Sequence, residues 1–208
     1  MQEEKNPQNI KISVADPSAM GLFGLAIVTL VASSQKLGLT HDVALVIPWA
    51  AFLGAFAQLY ASFSDSKLGN TFGATAFGAY GFFWFGTATT WLIQAGVLGE
   101  ELQASADYHQ LGMAFLGYLI FTLFMTYGAA STTKVLFFIF VLIDALFIGL
   151  TLNSLLDIEA GHYIAAFAEL FISLLSFYGC GASVLNAHFD RQILPMGKAF
   201  IKRTVIHK

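Results

Sequence analysis

Two acidic residues, Asp144 and Glu169, lie inside long apolar runs of the sequence, where a charge is difficult to solvate. Asp144 follows Lys134 by about ten residues and Glu169 follows His162 by about seven, which places them roughly 15 and 10 Å deep at a helical rise of about 1.5 Å per residue. A carboxylate in hydrocarbon costs roughly 3 kcal/mol or more, so it usually faces a water-filled cavity or the interior of a helix bundle. The predicted apolar core contains no Lys, Arg or His to neutralise either acid. We therefore expect each acid to be protonated at rest, to lie in water, or to bond across a helix interface.

Uncharged polar side chains in the same runs are candidates for binding a small polar solute. Gln58, Thr75 and Tyr80 lie within apolar runs, and Asn70 immediately precedes one. Their amide and hydroxyl groups can donate hydrogen bonds to an anion, although a Thr hydroxyl can also bond to the preceding turn of its own helix. The sequence contains no Ser-His-Asp constellation, glycine-rich phosphate loop or metal-spaced His cluster. It therefore predicts a transporter or channel rather than an enzyme, with no cofactor and no metal site.

Composition indicates which elements hold these side chains. Of the 208 residues, 57% are hydrophobic and only 11% are charged, whereas soluble domains contain about 25% charged residues. Six apolar stretches approach the roughly 20 residues that a bilayer core requires, the first only if it begins near Pro17, where proline suits the first turn of a helix. They span residues 20–34, 43–63, 71–97, 111–130, 135–156 and 163–185. The sequence predicts an all-α, multi-pass membrane protein with six transmembrane helices.

The distribution of positive charge predicts the orientation of these helices. Of the ten Lys and Arg residues, all but Lys36 fall in the N-terminal arm, the second and fourth connectors, or the C-terminal tail. Positively charged connectors stay in the cytoplasm, so both termini are expected there. The chain then divides into a cytoplasmic arm (1–16), a six-helix membrane domain (17–187) and a basic cytoplasmic tail (188–208). The net charge of −3 and the single cysteine, Cys180, give no indication of nucleic-acid binding or of an internal disulfide.

A resemblance to a known family is carried by residues 65–84, which read DSKLGNTFGATAFGAYGFFW. This stretch resembles the most recognisable part of the acetate uptake transporter family, which includes the bacterial succinate–acetate permeases. Further similar stretches lie at 54–58, 121–125 and 184–197, so the resemblance extends over nearly the whole chain. The family's first helix opens with Asn-Pro-Ala-Pro-Leu-Gly-Leu, and the matching residues here are Asp16-Pro17-Ser18-Ala19-Met20-Gly21-Leu22. The Pro and the Gly-Leu pair are shared, but Asp replaces the family's Asn and adds a negative charge.

The resemblance implies six helices per protomer, a homohexamer with one pore in each protomer, and movement of acetate, succinate or other short carboxylates across the plasma (inner) membrane. By position, it implies a hydrophobic constriction formed by Leu25, Tyr80 and Ile143. The polar residues expected along the pore are Gln58, Asn70, Thr75, Asp144 and Glu169. A fixed charge on Asp144, beside the constriction, would repel acetate by about 4 kcal/mol at a separation of about 4 Å and an effective dielectric of 20. Asp144 is therefore expected to be protonated, turned away from the pore, or part of proton coupling.

Two other functions remain open at this point. The acids in the membrane also suit a channel or exporter for a small cation such as ammonium. A sensor or assembly subunit without transport is the other alternative, and its helices would lack a continuous polar lining. The sequence also leaves open the preference between acetate and succinate, and the choice between an anion channel and a proton symporter.

Overall fold

The computed structural model describes residues 15–202, which form seven helices joined by turns. They are α1 (Ser18–Lys36), α2 (46–67), α3 (Thr71–Gln94), α4 (Glu100–Ala104), α5 (Tyr108–Ala129), α6 (Lys134–Leu156) and α7 (Glu159–His188). The six predicted apolar stretches correspond to the six long helices, with ends that differ by a few residues, and the all-α prediction is confirmed. The short helix α4 lies in the third connector, between the predicted stretches 71–97 and 111–130.

Four of the long helices, α1, α5, α6 and α7, are long and apolar enough to cross a membrane. Helix α2 is not among them because its π-helical segment divides it into parts of 4, 8 and 10 residues, each too short to cross by itself. Helix α3 has 24 residues, but it contains many Gly, Ala and Thr residues. Small and polar side chains lower the mean hydropathy of a helix without shortening it.

The six long helices form a ring. α1 packs between α2 and α7, α6 packs between α7 and α5, and α3 packs against α2. The ring closes between α3 and α5, whose contact is less extensive than those between the other neighbouring helices. There the Tyr118 hydroxyl donates a hydrogen bond of 3.0 Å to the carbonyl oxygen of Ala79. The ring arrangement gives each long helix one face directed to the interior of the bundle.

Helix α2 contains a π-helical segment, Ala50–Ala57, between two α-helical parts, Val46–Trp49 and Gln58–Lys67. Such wide turns often occur at functional sites, because the additional residue changes which face the following residues present. Gly54 allows close packing here, since a Cβ on it would lie 2.7 Å from Cγ of Trp84. The side-chain amide of Gln58 donates to the carbonyl oxygen of Gly54 at 2.8 Å. The segment therefore places Gln58 inside the bundle, where it is fully buried.

Helices α6 and α7 approach each other through two glycines. A Cβ on Gly149 would lie 2.6 Å from the carbonyl oxygen of Gly161, and one on Gly161 would lie 2.5 Å from that of Gly149. Because the neighbouring atoms belong to the backbone, they cannot move aside without separating the helices. Small residues at such positions allow helices to pack closely in a membrane.

We expect Gly149→Ala to destabilise the protein by about 1–3 kcal/mol, the usual cost of inserting atoms into a well-packed core. The measurement is the midpoint of thermal unfolding in detergent. Gly86→Ala in α3 is the matched control, because a Cβ there meets nothing within 4 Å and Ala is favoured over Gly in a helix by about 1 kcal/mol. Equal midpoints for the two variants would contradict the close approach.

Candidate functional site

A cavity of about 630 Å³ opens inside the ring. It lies at the end of the bundle where α1, α3 and α6 begin and α7 ends, and it is lined there by Asp16, Asn70, Thr133 and Asn186. Its volume falls within the range of roughly 300–1,000 Å³ that is usual for small-molecule sites. The cavity therefore has room for a small organic solute together with water.

The inner end of the cavity is closed by Leu25, Tyr80 and Ile143, the three residues that the resemblance implied as a constriction. They are only 7%, 5% and 4% exposed, respectively. The same three residues also line a gap of about 10 Å³ on their far side, together with Thr29 and Ile172. A gap of that size holds about one water molecule. The three side chains thus separate the cavity from the rest of the bundle interior.

The hydroxyl of Tyr80 lies 2.9 Å from that of Thr122. Because the Thr122 hydroxyl donates its own hydrogen to the carbonyl oxygen of Tyr118 at 2.7 Å, Tyr80 must be the donor in the pair. The Tyr80 hydrogen is therefore engaged, and the aromatic ring is the part of Tyr80 that closes the cavity.

Three helix N-termini surround the cavity. Asn70 caps α3 by accepting a hydrogen bond from the backbone N–H of Gly73 at 3.3 Å, and Thr133 caps α6 by accepting one from Leu136 at 3.2 Å. At the start of α1, Asp16 accepts from the N–H of Ser18 at 2.9 Å. Helix N-termini carry partial positive charge, which favours a nearby anion. Within residues 15–202, no Lys or Arg side chain lines this cavity, so the helix ends are its source of positive potential.

Asp65 also lines the cavity and is only 2% exposed. It lies beyond the apolar stretch of α2, and its Oδ1 accepts a hydrogen bond of 2.9 Å from the side-chain amide of Asn70. Among the described residues, its Oδ2 is buried without a partner. Burial raises the pKa of Asp65, the bond from Asn70 partly offsets the rise, and the negative charge of Asp16 adds to it.

Residues 2–197 match the sequence model of the GPR1/FUN34/yaaH family. The chain belongs to this family. It is 30% identical over 186 residues to the succinate-acetate/proton symporter SatP of Escherichia coli K12, with 89% of this chain and 97% of that protein covered. The solved structure of the bacterial acetate channel SatP matches with a TM-score of 0.81 at 31% identity, covering 89% of this chain and 100% of that one. The ammonia transport outward protein 2 of Saccharomyces cerevisiae is 30% identical over 144 residues, which cover 67% of this chain and 51% of that protein.

Membership of the GPR1/FUN34/yaaH family confirms the resemblance found in the sequence, since this is the acetate uptake transporter family. It also confirms that the chain is a multi-pass membrane protein of a transporter and channel family, and not an enzyme. The structural match to SatP extends over the whole of that chain, so the ring of helices is the fold of a SatP-like protein.

The motif that opens the first helix, residues 16–22, contributes both to the cavity lining and to the packing of α1. Asp16 and Leu22 line the cavity. Pro17 is buried at the start of α1. Gly21 packs against the ring of Phe77, which leaves no space for a side chain. Asp16 bonds to the first turn of α1 through its carboxylate, an interaction that does not need the amide N–H of the family's Asn.

The polar residues expected along the pore are not all in one place. Gln58 and Asn70 line the cavity. Thr75 lies on an exposed face of α3. Asp144 accepts a hydrogen bond of 2.7 Å from Thr126 on α5, and within the described part of the chain neither it nor Glu169 belongs to the cavity lining.

The expectation that no cation lies near Glu169 is wrong. The ammonium group of Lys36 lies 2.8 and 3.0 Å from the two carboxylate oxygens of Glu169. The sequence predicts a first apolar stretch that ends at residue 34, whereas α1 continues through Lys36. The Lys side chain is long enough to reach into the bundle from the end of the helix.

The C-terminal segment, residues 189–202, contributes to the site, whereas the sequence predicts a separate cytoplasmic tail from residue 188 onward. Met196 lines the cavity, and its carbonyl oxygen accepts a hydrogen bond of 3.1 Å from the N–H of Val135 in α6. Asn186 holds the segment in place by accepting from the N–H groups of Ile193 and Leu194 at 2.6 and 2.9 Å. The similar stretch at 184–197 was the available signal, since it includes this asparagine and the residues it binds.

Proposed function

We propose that this protein moves acetate and other short carboxylates, succinate among them, through a pore within each protomer. The observation that carries the proposal is the cavity, which is closed by an apolar constriction and surrounded by the N-termini of α1, α3 and α6. The apolar end accommodates a methyl group, and the helix ends favour a carboxylate. The names of the bacterial relatives, a succinate-acetate/proton symporter and an acetate channel, support the same substrate class.

We further propose six membrane spans, with both termini in the cytoplasm, in the plasma (inner) membrane. The apolar part of α2, residues 46–63, and helix α3 rise about 27 and 36 Å at 1.5 Å per residue, close to or above the core thickness of about 30 Å. The positive charge of the connectors supports the orientation. The cavity then opens to the cytoplasm. A homohexamer is the assembly that the family resemblance implies, and large apolar side chains such as Phe52, Phe124 and Phe167 on the outer surface of the ring suit lipid or neighbouring protomers.

Export of a small cation such as ammonium is the second candidate. It is favoured by the charged side chains of the cavity lining, which among the described residues are the two acids Asp16 and Asp65. The yeast relative named for outward ammonia transport supports the same alternative.

The test is uptake of labelled acetate into proteoliposomes, with and without a pH gradient and with protein-free liposomes as the background. We expect protein-dependent uptake of labelled acetate. Unlabelled acetate and succinate should inhibit this uptake by competition, and ammonium should not. Competition by ammonium alone, or no uptake above the background, would favour the cation exporter or a protein without transport.

The raised pKa of Asp65 predicts a pH dependence on the cytoplasmic side. As the cytoplasmic pH falls through this pKa, Asp65 becomes neutral and the cavity loses a negative charge. Two like charges about 8 Å apart repel by about 2 kcal/mol at an effective dielectric of 20, so acetate should bind roughly tenfold to thirtyfold more tightly when Asp65 is protonated. The measurement is acetate affinity as a function of the pH on that side.

Asp65→Asn should remove this pH dependence and hold the affinity near its low-pH value, because Asn is neutral at every pH. Asp16→Asn is the matched control, since Asp16 is exposed at the mouth of the cavity and should change the affinity much less. An unchanged pH profile in Asp65→Asn would show that another group controls it.

A further inference from the structure

Lys36 and Glu169 form an ion pair on the opposite side of the constriction from the cavity. Both carboxylate oxygens of Glu169 accept from the Lys36 ammonium, at 3.0 and 2.8 Å. The side chain of Glu169 is 3% exposed and that of Lys36 is 16% exposed. Because side chains lean toward the N-terminus of their helix, the Lys36 and Glu169 side chains of the antiparallel helices α1 and α7 lean toward each other. The ammonium is the member of the pair that a solute from the outer side meets first.

Lys36 and Glu169 lie on the same faces of α1 and α7 as the residues that line the small gap beyond the constriction. Thr29 on α1 and Ile172 on α7 line this gap. Lys36 lies seven residues after Thr29, about two helical turns outward on the same face, and Glu169 lies three residues, about one turn, outward from Ile172. The pair therefore stands between the gap and the outer ends of α1 and α7.

The surroundings of Glu169 offer it few other partners. Helix α7, which carries Glu169, packs between α1 and α6. From α1 it faces Lys36, and on its own helix it faces His162, whose Nε2 lies 2.8 Å from the carbonyl oxygen of Lys36. On α6, Asp144 is bonded to Thr126 and Asp157 is exposed at the end of the helix. Among the described residues, the charge of Glu169 thus depends on Lys36, with His162 as the second titratable neighbour.

We infer that Lys36 and Glu169 form a proton-linked site for the carboxylate of the substrate. An incoming carboxylate takes the place of Glu169 on the Lys36 ammonium, and Glu169 takes up one proton from the outer solution. Removing one partner of a buried ion pair leaves an uncompensated charge, which is strongly unfavourable, so the two events must occur together. When the substrate departs toward the cavity, Glu169 returns to Lys36, and the proton that it gives up leaves with the substrate on the cavity side.

This site would make the transport electroneutral, with one proton accompanying each monocarboxylate. The inference rests on the proposed carboxylate transport and adds a coupling mechanism to it. Asp144, Asp65 and Asp16 take no part in this step, because their hydrogen-bond partners among the described residues are Thr126, Asn70 and the N–H of Ser18, none of which is a cation.

The experiment measures the acetate gradient at which protein-dependent net flux into proteoliposomes becomes zero, with pH gradient and membrane potential set independently. For a 1:1 symport, a pH difference of one unit should shift this acetate gradient tenfold. A change of 59 mV in membrane potential, which shifts the gradient of a singly charged ion tenfold, should have no effect. Glu169→Gln keeps a side chain that can bond to Lys36 but has no proton to exchange. In this variant the pH effect should disappear, and 59 mV should now shift the gradient about tenfold.

The double variant Lys36→Met/Glu169→Leu is the control for a structural role, because apolar replacement of both partners of a buried pair is often neutral for stability. It should be folded and uncoupled. Retained pH coupling in either variant would show that the pair only holds α1 against α7. A wild-type protein that responds to potential and not to pH would overturn the inference but leave acetate transport intact, whereas a wild-type protein without acetate flux would overturn the proposed function itself.

Discussion

Ile143→Asp should lower acetate flux about a thousandfold. Ile143 is 4% exposed and closes the cavity together with Leu25 and Tyr80, so a carboxylate there would stand directly in the path of the anion. Two negative charges about 4 Å apart repel by about 4 kcal/mol at an effective dielectric of 20, and each 1.36 kcal/mol of barrier changes a rate tenfold. The measurement is the initial rate of labelled acetate uptake into proteoliposomes at equal protein content.

The matched controls separate charge from size and position. Ile143→Asn has nearly the shape of the Asp variant without its charge, so it should retain far more flux. Asp144→Asn changes the charge of the next residue, which bonds to Thr126 and lies outside the cavity lining, and it should alter the flux by no more than about twofold. Unchanged or increased ammonium flux in Ile143→Asp, without a loss of acetate flux, would instead favour the cation exporter.

Tyr80→Ala should weaken the selection of substrate by size. The Tyr80 ring packs among aromatic neighbours, with centroid distances of 6.0 Å to Phe140 and 6.4 Å to Phe147, and it closes the inner end of the cavity. Its removal leaves space for water and for larger carboxylates at the constriction. We expect succinate flux to rise by about tenfold relative to acetate, a change of about 1.4 kcal/mol in barrier height. The measurement is the ratio of the two labelled fluxes.

Tyr80→Phe is the control, because it keeps the ring and removes the hydroxyl. The hydroxyl hydrogen is already engaged with Thr122, so Phe should preserve the flux ratio and destabilise the protein by about 1 kcal/mol through the lost bond. Since truncation of a buried aromatic residue costs about 3–5 kcal/mol, the folded fraction of Tyr80→Ala must be measured by size-exclusion chromatography. Unchanged fluxes of both carboxylates in Tyr80→Ala would place Tyr80 outside the pathway.

The sequence predicts the helices well, because burial in lipid requires long apolar runs and their ends are polar. It predicts less well which face each helix turns inward. Gly73, Ala76 and Tyr80 share the inner face of α3, and Thr75 lies five residues before Tyr80, on roughly the opposite face at 100° per residue. Helical periodicity was therefore sufficient to exclude Thr75 from the lining, once Tyr80 was placed there.

The Lys36–Glu169 pair could not be predicted in the same way. Its members are 133 residues apart in the chain. Hydropathy assigns Lys36 to a connector, and it gives no information on how far a long side chain reaches from the helix end into the bundle. Asp144 shows the same limit. It follows Ile143 directly, yet a turn of about 100° on the helix directs it to Thr126 on α5, which only the packing of α5 against α6 determines.

The C-terminal segment has a consequence for the biosynthesis of the protein. The N–H of Val135 donates to the carbonyl oxygen of Met196, and the N–H groups of Phe200 and Ile201 donate to that of Ala130 at 2.9 and 3.0 Å. These partners follow all seven described helices in the chain, so the turn between α5 and α6 gains these hydrogen bonds only after the C-terminal segment has been synthesised. The part of the cavity wall that Met196 forms is therefore completed at the end of biosynthesis.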